Sequence, residues 1–186
     1  SAARGGHLEI VKSLKEKGAD IEAKTNDGIT VLHSAAIVGN LEMFKYLIIN
    51  GAKIEAESAE GETVFHFAAK SGCNNLLKYL IENKLKLELI KAKTRKGFTA
   101  LHRAARIGNK EMVKYLEENG AEIEAKNNLG FTPLYSAVLS GNLDVIDYLI
   151  GKGANVNTKL YGSDLDDWTI LHTAAKSCSC LLYTSD

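Results

Sequence analysis

The sequence predicts an all-α repeat fold of helix-turn-helix units joined by short β-hairpin fingers. Five segments share one pattern, in which Thr is followed by an apolar pair, His or Tyr, and small residues; they begin at Thr30, Thr63, Thr99, Thr132 and Thr169. These threonines are 33, 36, 33 and 37 residues apart. A near-constant period of this length is typical of stacked repeats, whose single units cannot bury their apolar faces alone.

Each repeat is predicted to hold a second helix after the shared pattern. Apolar residues three or four positions apart follow the Gly-Asn pairs and indicate an amphipathic helix. The predicted N-caps are Asn40, Asn109 and Asn142. Glycines suited to a left-handed helix end follow at Gly51, Gly120 and Gly153. In the first unit, His7 is expected at the start of such a second helix.

Short connections between the repeats complete the predicted unit. Extended pieces are expected at residues 21–23, 54–56, 123–125 and 156–157. They lead to finger turns at Gly28, Gly61, Gly97 and Gly130. The predicted core between units comprises Leu32, Phe65, Leu101, Leu134 and Leu171.

The repeated pattern resembles the ankyrin repeat, in which Thr-Pro-Leu-His-x-Ala opens the first helix. Thr132-Pro133-Leu134 keeps the proline of that pattern, whereas the other repeats carry Val, Ala or Ile there. The resemblance covers residues 2–178 and implies an all-α ankyrin-repeat solenoid with short β-hairpin finger loops. It also implies that the Thr hydroxyl and the His ring bond near the start of the first helix.

The resemblance divides the chain into an ankyrin-repeat domain, residues 1–179, and a tail, residues 180–186. We expect a truncated repeat, four full repeats and a partial repeat at residues 1–24, 25–57, 58–93, 94–126, 127–163 and 164–179. The tail looks like a translated adapter from transposase-based sequencing libraries, and we expect it to be non-native.

Two insertions interrupt the period. The extra residues between Glu82 and Leu89 predict a second helix that is lengthened or distorted, with Lys84 or Leu85 where glycine is expected. The extra residues near 160–164 predict an extended finger loop.

Composition argues against several classes of function. Lys plus Arg and Asp plus Glu both total 23, so no overall field attracts nucleic acid or an anionic membrane. No apolar run approaches the roughly 18 residues of a membrane span. The three cysteines, Cys73, Cys178 and Cys180, do not form a disulfide framework. We therefore expect no nucleic-acid or membrane partner, and a cytoplasmic location.

The recurring histidines raise the question of a metal site. His33, His66, His102 and His172 recur with the repeat, and residues one repeat apart stack in a row and do not converge on one ion. A structural role at the helix start is the favoured interpretation. No nucleophile with a nearby base stands out either. The sequence therefore predicts a non-enzyme without catalytic residues, cofactor or metal.

The resemblance implies that partners contact the fingers and the concave side of the first helix of each repeat. The residues expected there are Ile29, Ile37, Val38, Arg95, Lys96, Phe98, Arg106, Ile107, Leu129, Phe131, Leu139 and Trp168. The three aromatic residues are expected to line up along successive fingers as exposed anchors. Alternatively, they pack on the adjacent finger. The cations either meet an acidic partner segment or form a solvated face.

The predicted function is that of a monomeric protein-protein interaction module whose partner is unknown. The alternative is a targeting arm of a larger enzyme or channel, because the fold alone does not fix function.

Overall fold

The computed structural model describes residues 2–159 and 168–181, and these residues form ten α-helices and one 3₁₀ helix. The helices are α1 (Ala2–Glu16), α2 (Val31–Val38), α3 (Leu41–Ile49), α4 (Val64–Ser71), α5 (Asn74–Glu82), α6 (Ala100–Ile107), α7 (Lys110–Glu118), α8 (Pro133–Leu139), α9 (Leu143–Gly151) and α10 (Ile170–Leu181), and the 3₁₀ helix is Leu87–Lys91. The chain divides into an N-terminal unit, residues 1–89, and a C-terminal unit, residues 90–186.

The helices of each unit pack as successive pairs. In the N-terminal unit, α2 packs on α3 and α4, and α4 packs on α5. In the C-terminal unit, α6 packs on α7 and α8, and α8 packs on α9 and α10. The first helix of one repeat therefore lies against the first helix of the next, as the stacking argument requires.

A reciprocal cap between Thr and His starts the first helix of a repeat. In α2, Thr30 N–H donates to Nδ1 of His33, and the backbone N–H of His33 donates to Thr30 Oγ1, both at 3.2 Å. In α6, Thr99 N–H donates to Nδ1 of His102 at 3.1 Å. These bonds satisfy backbone groups that a helix start leaves open. The cap implied by the resemblance is confirmed.

The same His rings reach the following repeat through their other nitrogen. Nε2 of His33 lies 3.0 Å from the carbonyl oxygen of Ala56, and Nε2 of His102 lies 2.9 Å from that of Phe131. Because Nδ1 accepts a hydrogen bond from the Thr backbone N–H, Nε2 carries the ring hydrogen and donates. Each of these rings therefore links two neighbouring repeats of its unit by a hydrogen bond.

The predicted core is confirmed at four of its five positions. Leu32, Phe65, Leu101 and Leu134 are at most 1% exposed. Truncating such a buried Leu to Ala costs roughly 2–5 kcal/mol. The prediction for Leu171 is wrong, because its side chain is 77% exposed. α10 contacts α8 through another side, and no described element covers Leu171.

The connections that follow the second helices are turns, so the prediction of extended pieces is wrong. Ala23, Ala56 and Ala125 each donate a backbone bond to the carbonyl three residues earlier, at 3.1–3.3 Å. The Asp20 carboxylate accepts from Glu22 N–H at 2.9 Å, and the Asn155 side chain accepts from Asn157 N–H at 2.9 Å. Such side-chain bonds favour a turn over an extended strand.

The fingers are tight turns whose tips touch. Gly28 N–H donates to Thr25 O at 2.9 Å, and Thr25 N–H donates to Ile29 O at 3.0 Å. Among the described residues, strand pairing is limited to isolated bridges, Lys24 with Thr30 and Lys159 with Thr169. Within the N-terminal unit, the two neighbouring tips are joined by a backbone bond, which Ala59 N–H donates to Asp27 O at 2.8 Å. The finger spacing is therefore set by the main chain.

The insertion after Ile81 distorts the chain, but the helix is not lengthened. α5 ends at Glu82, and the Asn83 side-chain amide donates to Tyr79 O at 2.8 Å. Lys84, with φ 51°, takes the left-handed position where other repeats use glycine. The extra residues then form the 3₁₀ helix, which is anchored by Ile90 at 1% exposed.

The two terminal helices also differ from expectation. α1 is continuous from Ala2 to Glu16, so His7 lies inside a helix and not at the start of one. A glycine pair weakens a helix without necessarily ending it. α10 continues to Leu181, and Cys178 occupies the position where the other first helices end at a left-handed Gly. The predicted loop near 160–164 and the tail beyond 181 lie outside the described residues.

The predicted second-helix caps are confirmed at two of three positions. Asn40 and Asn109 accept from the backbone N–H three residues later, both at 3.0 Å. Asn142 makes no such bond, and its side-chain amide donates to Ser140 Oγ at 2.8 Å. Among the described residues, no helix combines the length and apolar character needed to cross a bilayer.

We predict that Gly97→Ala destabilises the C-terminal unit more than Gly120→Ala. Both glycines have a left-handed backbone, with φ +80° and +97°, so each substitution costs about 1 kcal/mol. A Cβ on Gly97 would also lie 2.8 Å from Asn127 Cα, whereas one on Gly120 would meet nothing within 4 Å. Urea unfolding measures the difference, expected at roughly 1–3 kcal/mol. Equal losses would contradict a close approach between the fingers.

We also predict that His33 makes the unfolding free energy depend on pH. Burial lowers the pKa of His33 below its ordinary value, although the Ala56 carbonyl opposes this shift. The unfolded chain therefore binds the proton more readily, and the contribution of His33 is present above about pH 6.5 and lost below it. Between pH 7 and pH 5, His33→Gln should lose less stability than the parent chain. An equal loss in both chains would exclude His33 as the source.

Candidate protein-binding surface

The finger aromatics of the C-terminal unit pack inside their own repeats. Each ring contacts the His or Tyr four residues later, with centroid distances of 5.5, 4.1 and 5.1 Å for Phe98–His102, Phe131–Tyr135 and Trp168–His172. All three aromatic side chains are half-buried. The predicted row of exposed anchors is therefore wrong, because each ring packs on a helix residue of its own repeat.

Further contacts fix two of these rings. The Arg103 guanidinium lies 5.2 Å from the centroid of the Phe98 ring. Trp168 donates from Nε1 to Thr173 Oγ1 at 3.1 Å, and the Lys176 ammonium lies 5.7 Å from the Trp168 ring centroid. Cation-π contacts of this kind contribute roughly 0.5–1 kcal/mol at exposed sites. These aromatic residues support the fingers and the helix starts.

The exposed residues of the predicted set form two groups in the C-terminal unit. Arg95, Lys96 and Leu129 lie on fingers, and Arg106, Ile107 and Leu139 lie at the ends of first helices. The three apolar side chains, Ile107, Leu129 and Leu139, are 51%, 47% and 40% exposed. Exposed apolar side chains that lie together form the kind of patch that marks interaction surfaces, and Arg is enriched there.

Asn128 holds the two fingers side by side, and it is a residue that the sequence analysis did not select. Its backbone N–H donates to Lys96 O at 3.1 Å, and its side-chain amide donates to Arg95 O at 2.9 Å. Leu129 therefore stands beside the finger that carries Arg95 and Lys96. The sequence signal was the Asn127-Asn128 pair, because Asn side chains readily bond to nearby backbone in turns.

Asn127 shapes the finger that presents Leu129. Its Oδ1 accepts from Leu129 N–H at 3.0 Å and from Phe131 N–H at 2.8 Å. The side chain is 6% exposed. Its Nδ2 is buried and has no acceptor among the described residues. Two side-chain hydrogen bonds therefore stabilise the finger, but one buried donor without an acceptor lowers the stability.

The ends of the first helices bring the second group together. α6 ends with Arg106 and Ile107, and the left-handed Gly108, with φ 79°, closes it. α8 ends at Leu139 and packs directly on α6. Because the two helices stand side by side in neighbouring repeats, their exposed ends belong to one face of the C-terminal unit.

The predicted residues of the N-terminal unit do not form one comparable group. Ile29 is half-buried on its finger, and Ile37 is 46% exposed at the end of α2. Val38, 75% exposed, lines an apolar groove of about 320 Å³ with residues that include Val11 and Met43. Val38 therefore belongs to the gap between α1 and α2.

A polar cluster lies on the second helices of the C-terminal unit. Lys152 Nζ is 2.9 Å from Glu117 Oε2, and the Tyr148 hydroxyl donates to the same oxygen at 2.8 Å. The bonds from Lys152 and then Tyr148 lower the pKa of the Glu117 carboxyl, and burial raises the pKa of Tyr148. The cluster joins α9 to α7. The pKa changes of Glu117 and Tyr148 therefore follow from a contact that holds two helices together.

The described residues contain no cluster of three or more His, Cys, Asp or Glu side chains that could hold a metal ion. His33 and His102 use both ring nitrogens in the helix cap and the bond to the next repeat. The half-buried Cys73 thiol donates to the Gly39 carbonyl at 3.4 Å. The arrangement of the fingers and helix ends is suited to surface contact.

Comparison with known families agrees with the helix pairs and their caps. The family model described as ankyrin repeats (3 copies) matches residues 1–91, 87–160 and 128–183. The chain belongs to the ankyrin-repeat family. No curated protein matches it. Ankyrin repeats are generally protein-protein interaction modules and typically act as non-enzymatic scaffolds.

We predict that Asn127→Ser stabilises this ankyrin finger. At the matching position of another finger, Ser58 Oγ accepts from Glu60 N–H at 3.3 Å and from Glu62 N–H at 3.1 Å. Serine can therefore make both finger bonds without the buried donor, and we expect a gain of about 1 kcal/mol in unfolding free energy. Denaturant unfolding measures it. The reverse change, Ser58→Asn, should lose stability, and a loss in both variants would contradict this explanation.

Proposed function

We propose that the chain binds a protein partner through the exposed fingers and first-helix ends of its C-terminal unit. The contact residues are Arg95, Lys96, Arg106, Ile107, Leu129 and Leu139. The observation that carries the proposal is the exposure of Ile107, Leu129 and Leu139, at 40–51%, on one unit. Burying such side chains against a partner yields about 25 cal/mol per Å² of apolar surface.

Phe98, Phe131 and Trp168 have a supporting role in this proposal. Each ring braces the finger against its own helix start, so the finger meets a partner with little loss of conformational freedom. A surface organised in advance binds more tightly than one that must be ordered on contact. Ile29, Ile37 and Val38 of the N-terminal unit are proposed as additional contacts.

The zero net charge supports a protein partner over nucleic acid or an anionic membrane. We propose that the chain works as a monomer and without catalysis. Its contribution would then be to hold a partner by surface complementarity.

Selection from a displayed random-peptide library tests the proposed surface. Peptides enriched on the parent chain are measured against Ile107→Ala, Leu129→Ala and, as a control, Leu143→Ala. Leu143 is also an exposed apolar residue, at 72%, but lies on the second helix α9. We expect affinity to fall roughly tenfold for a lost contact of about 1.4 kcal/mol in the first two variants. The control should keep the parent affinity.

Peptides that respond to Leu143→Ala, but not to Ile107→Ala or Leu129→Ala, would place binding elsewhere and refute the proposed surface. Circular dichroism confirms in each case that the variant is folded. Because all three side chains are substantially exposed, their truncation should leave the fold intact.

A further inference from the structure

Positive charge is concentrated on the proposed surface of the C-terminal unit. Arg95, Lys96 and Arg106 are exposed, and among the described residues no carboxylate pairs with their side chains. Arg95 and Lys96 stand on one finger, beside the neighbouring finger that carries Leu129. Arg106 precedes Ile107 at the end of the first helix that follows. The surface therefore combines unneutralised cations with exposed apolar side chains.

Several carboxylates of the same unit are engaged elsewhere. Glu117 pairs with Lys152 at 2.9 Å, and Glu122 pairs with Lys91 at 3.3 Å. Glu124 accepts from Asn155 N–H at 3.0 Å. These groups lie on the second helices and on the turns that follow them. Positive and negative charges are thus segregated within the unit. The chain therefore has a basic face although its net charge is zero.

The geometry points to an acidic, extended protein segment as the partner, and we propose that this face binds such a segment through paired carboxylates and a large apolar side chain. This inference rests on the proposed function and specifies its partner. α6 has eight residues, Ala100–Ile107, and is therefore about 12 Å long; the finger cations precede its start and Arg106 lies in its last turn. An extended chain covers that distance in about four residues. Because side chains alternate along an extended chain, residues i, i+2 and i+4 share one side.

The expected partner sequence is therefore five residues long. It has Asp or Glu at the first and fifth positions, a large apolar residue at the third, and any residue at the second and fourth. One outer carboxylate would meet Lys96 or Arg95, and the other would meet Arg106. The central side chain would lie near Leu129 and Ile107. Arg binds carboxylates with two parallel bonds, which adds direction to the attraction.

The same cations could attract RNA, but the neighbouring rings argue for a protein. Binding of single-stranded RNA relies on aromatic faces that are open to stacking bases. Phe98 already lies between His102 and Arg103, and Phe131 stacks on Tyr135 with an interplanar angle of 29°. The exposed side chains beside the cations are aliphatic, and these suit a peptide.

The test is an NMR titration of the full chain with the synthetic peptide Gly-Glu-Ser-Leu-Ser-Glu-Gly. We expect shift changes at the amides of Lys96, Arg106, Ile107 and Leu129, and weaker binding as salt is raised. The double variant Lys96→Glu, Arg106→Glu should bind at least tenfold more weakly. The control double variant Lys110→Glu, Lys114→Glu changes the net charge equally, on the second helix α7, and should bind like the parent chain.

Three further probes decide between explanations. Replacing both Glu residues of the peptide with Lys should abolish binding, and replacing its Leu with Ser should weaken it. Equal binding of the Lys peptide, undiminished binding to the Lys96→Glu, Arg106→Glu variant, or no shift at millimolar peptide would overturn the inference. So would tighter binding of a uridine heptanucleotide at the same amides.

The failure of this inference is distinguishable from failure of the proposed function. If library peptides without acidic residues bind and respond to Ile107→Ala and Leu129→Ala, the surface is correct and the acidic partner is wrong. If neither acidic nor other peptides respond to those two variants, the surface itself is wrong.

Discussion

The bond from a histidine ring to the next repeat is the interaction on which the arrangement of each unit depends. His33 and His102 accept the Thr backbone N–H at one nitrogen and reach a carbonyl of the following repeat with the other. One buried ring therefore starts a helix and sets the position of its neighbour. A ring that left either nitrogen unpaired in the core would cost stability, because unsatisfied buried polar groups are expensive. Register within a unit is thus specified by polar bonds as well as by the apolar core.

The face of the C-terminal unit follows from that register. Once His102 binds the carbonyl of Phe131, the next finger must stand beside the finger of Arg95 and Lys96, and Asn128 bonds to both of their carbonyls. The finger aromatics then pack onto the helix starts and leave aliphatic and cationic side chains outside. A chain of zero net charge can in this way present a basic, partly apolar face, because its carboxylates pair with cations on the second helices.

The sequence predicted the repeat fold well because the fold is encoded by short-range patterns. The Thr-to-His spacing, the Gly after each helix and the buried Leu or Phe all act within a few residues, and the all-α ankyrin class is confirmed. Exposure was harder to predict, because it depends on contacts that no local pattern contains. Phe98 and Trp168 occupy exposed finger positions by spacing, yet each folds back on a ring of its own repeat. Leu171 fits the core pattern but has no described element to cover it.

Each finger in the described repeats is closed by main-chain bonds and by one short side chain at its base, Thr25, Ser58, Thr94 or Asn127. The two residues at the tip contribute little to that closure beyond the glycine that follows them. The tips can therefore diverge in sequence while the scaffold stays constant. If the proposed surface is correct, exchanging a dipeptide such as Arg95-Lys96 between fingers would change the contact surface, and the cores of the repeats would need no matching adjustment.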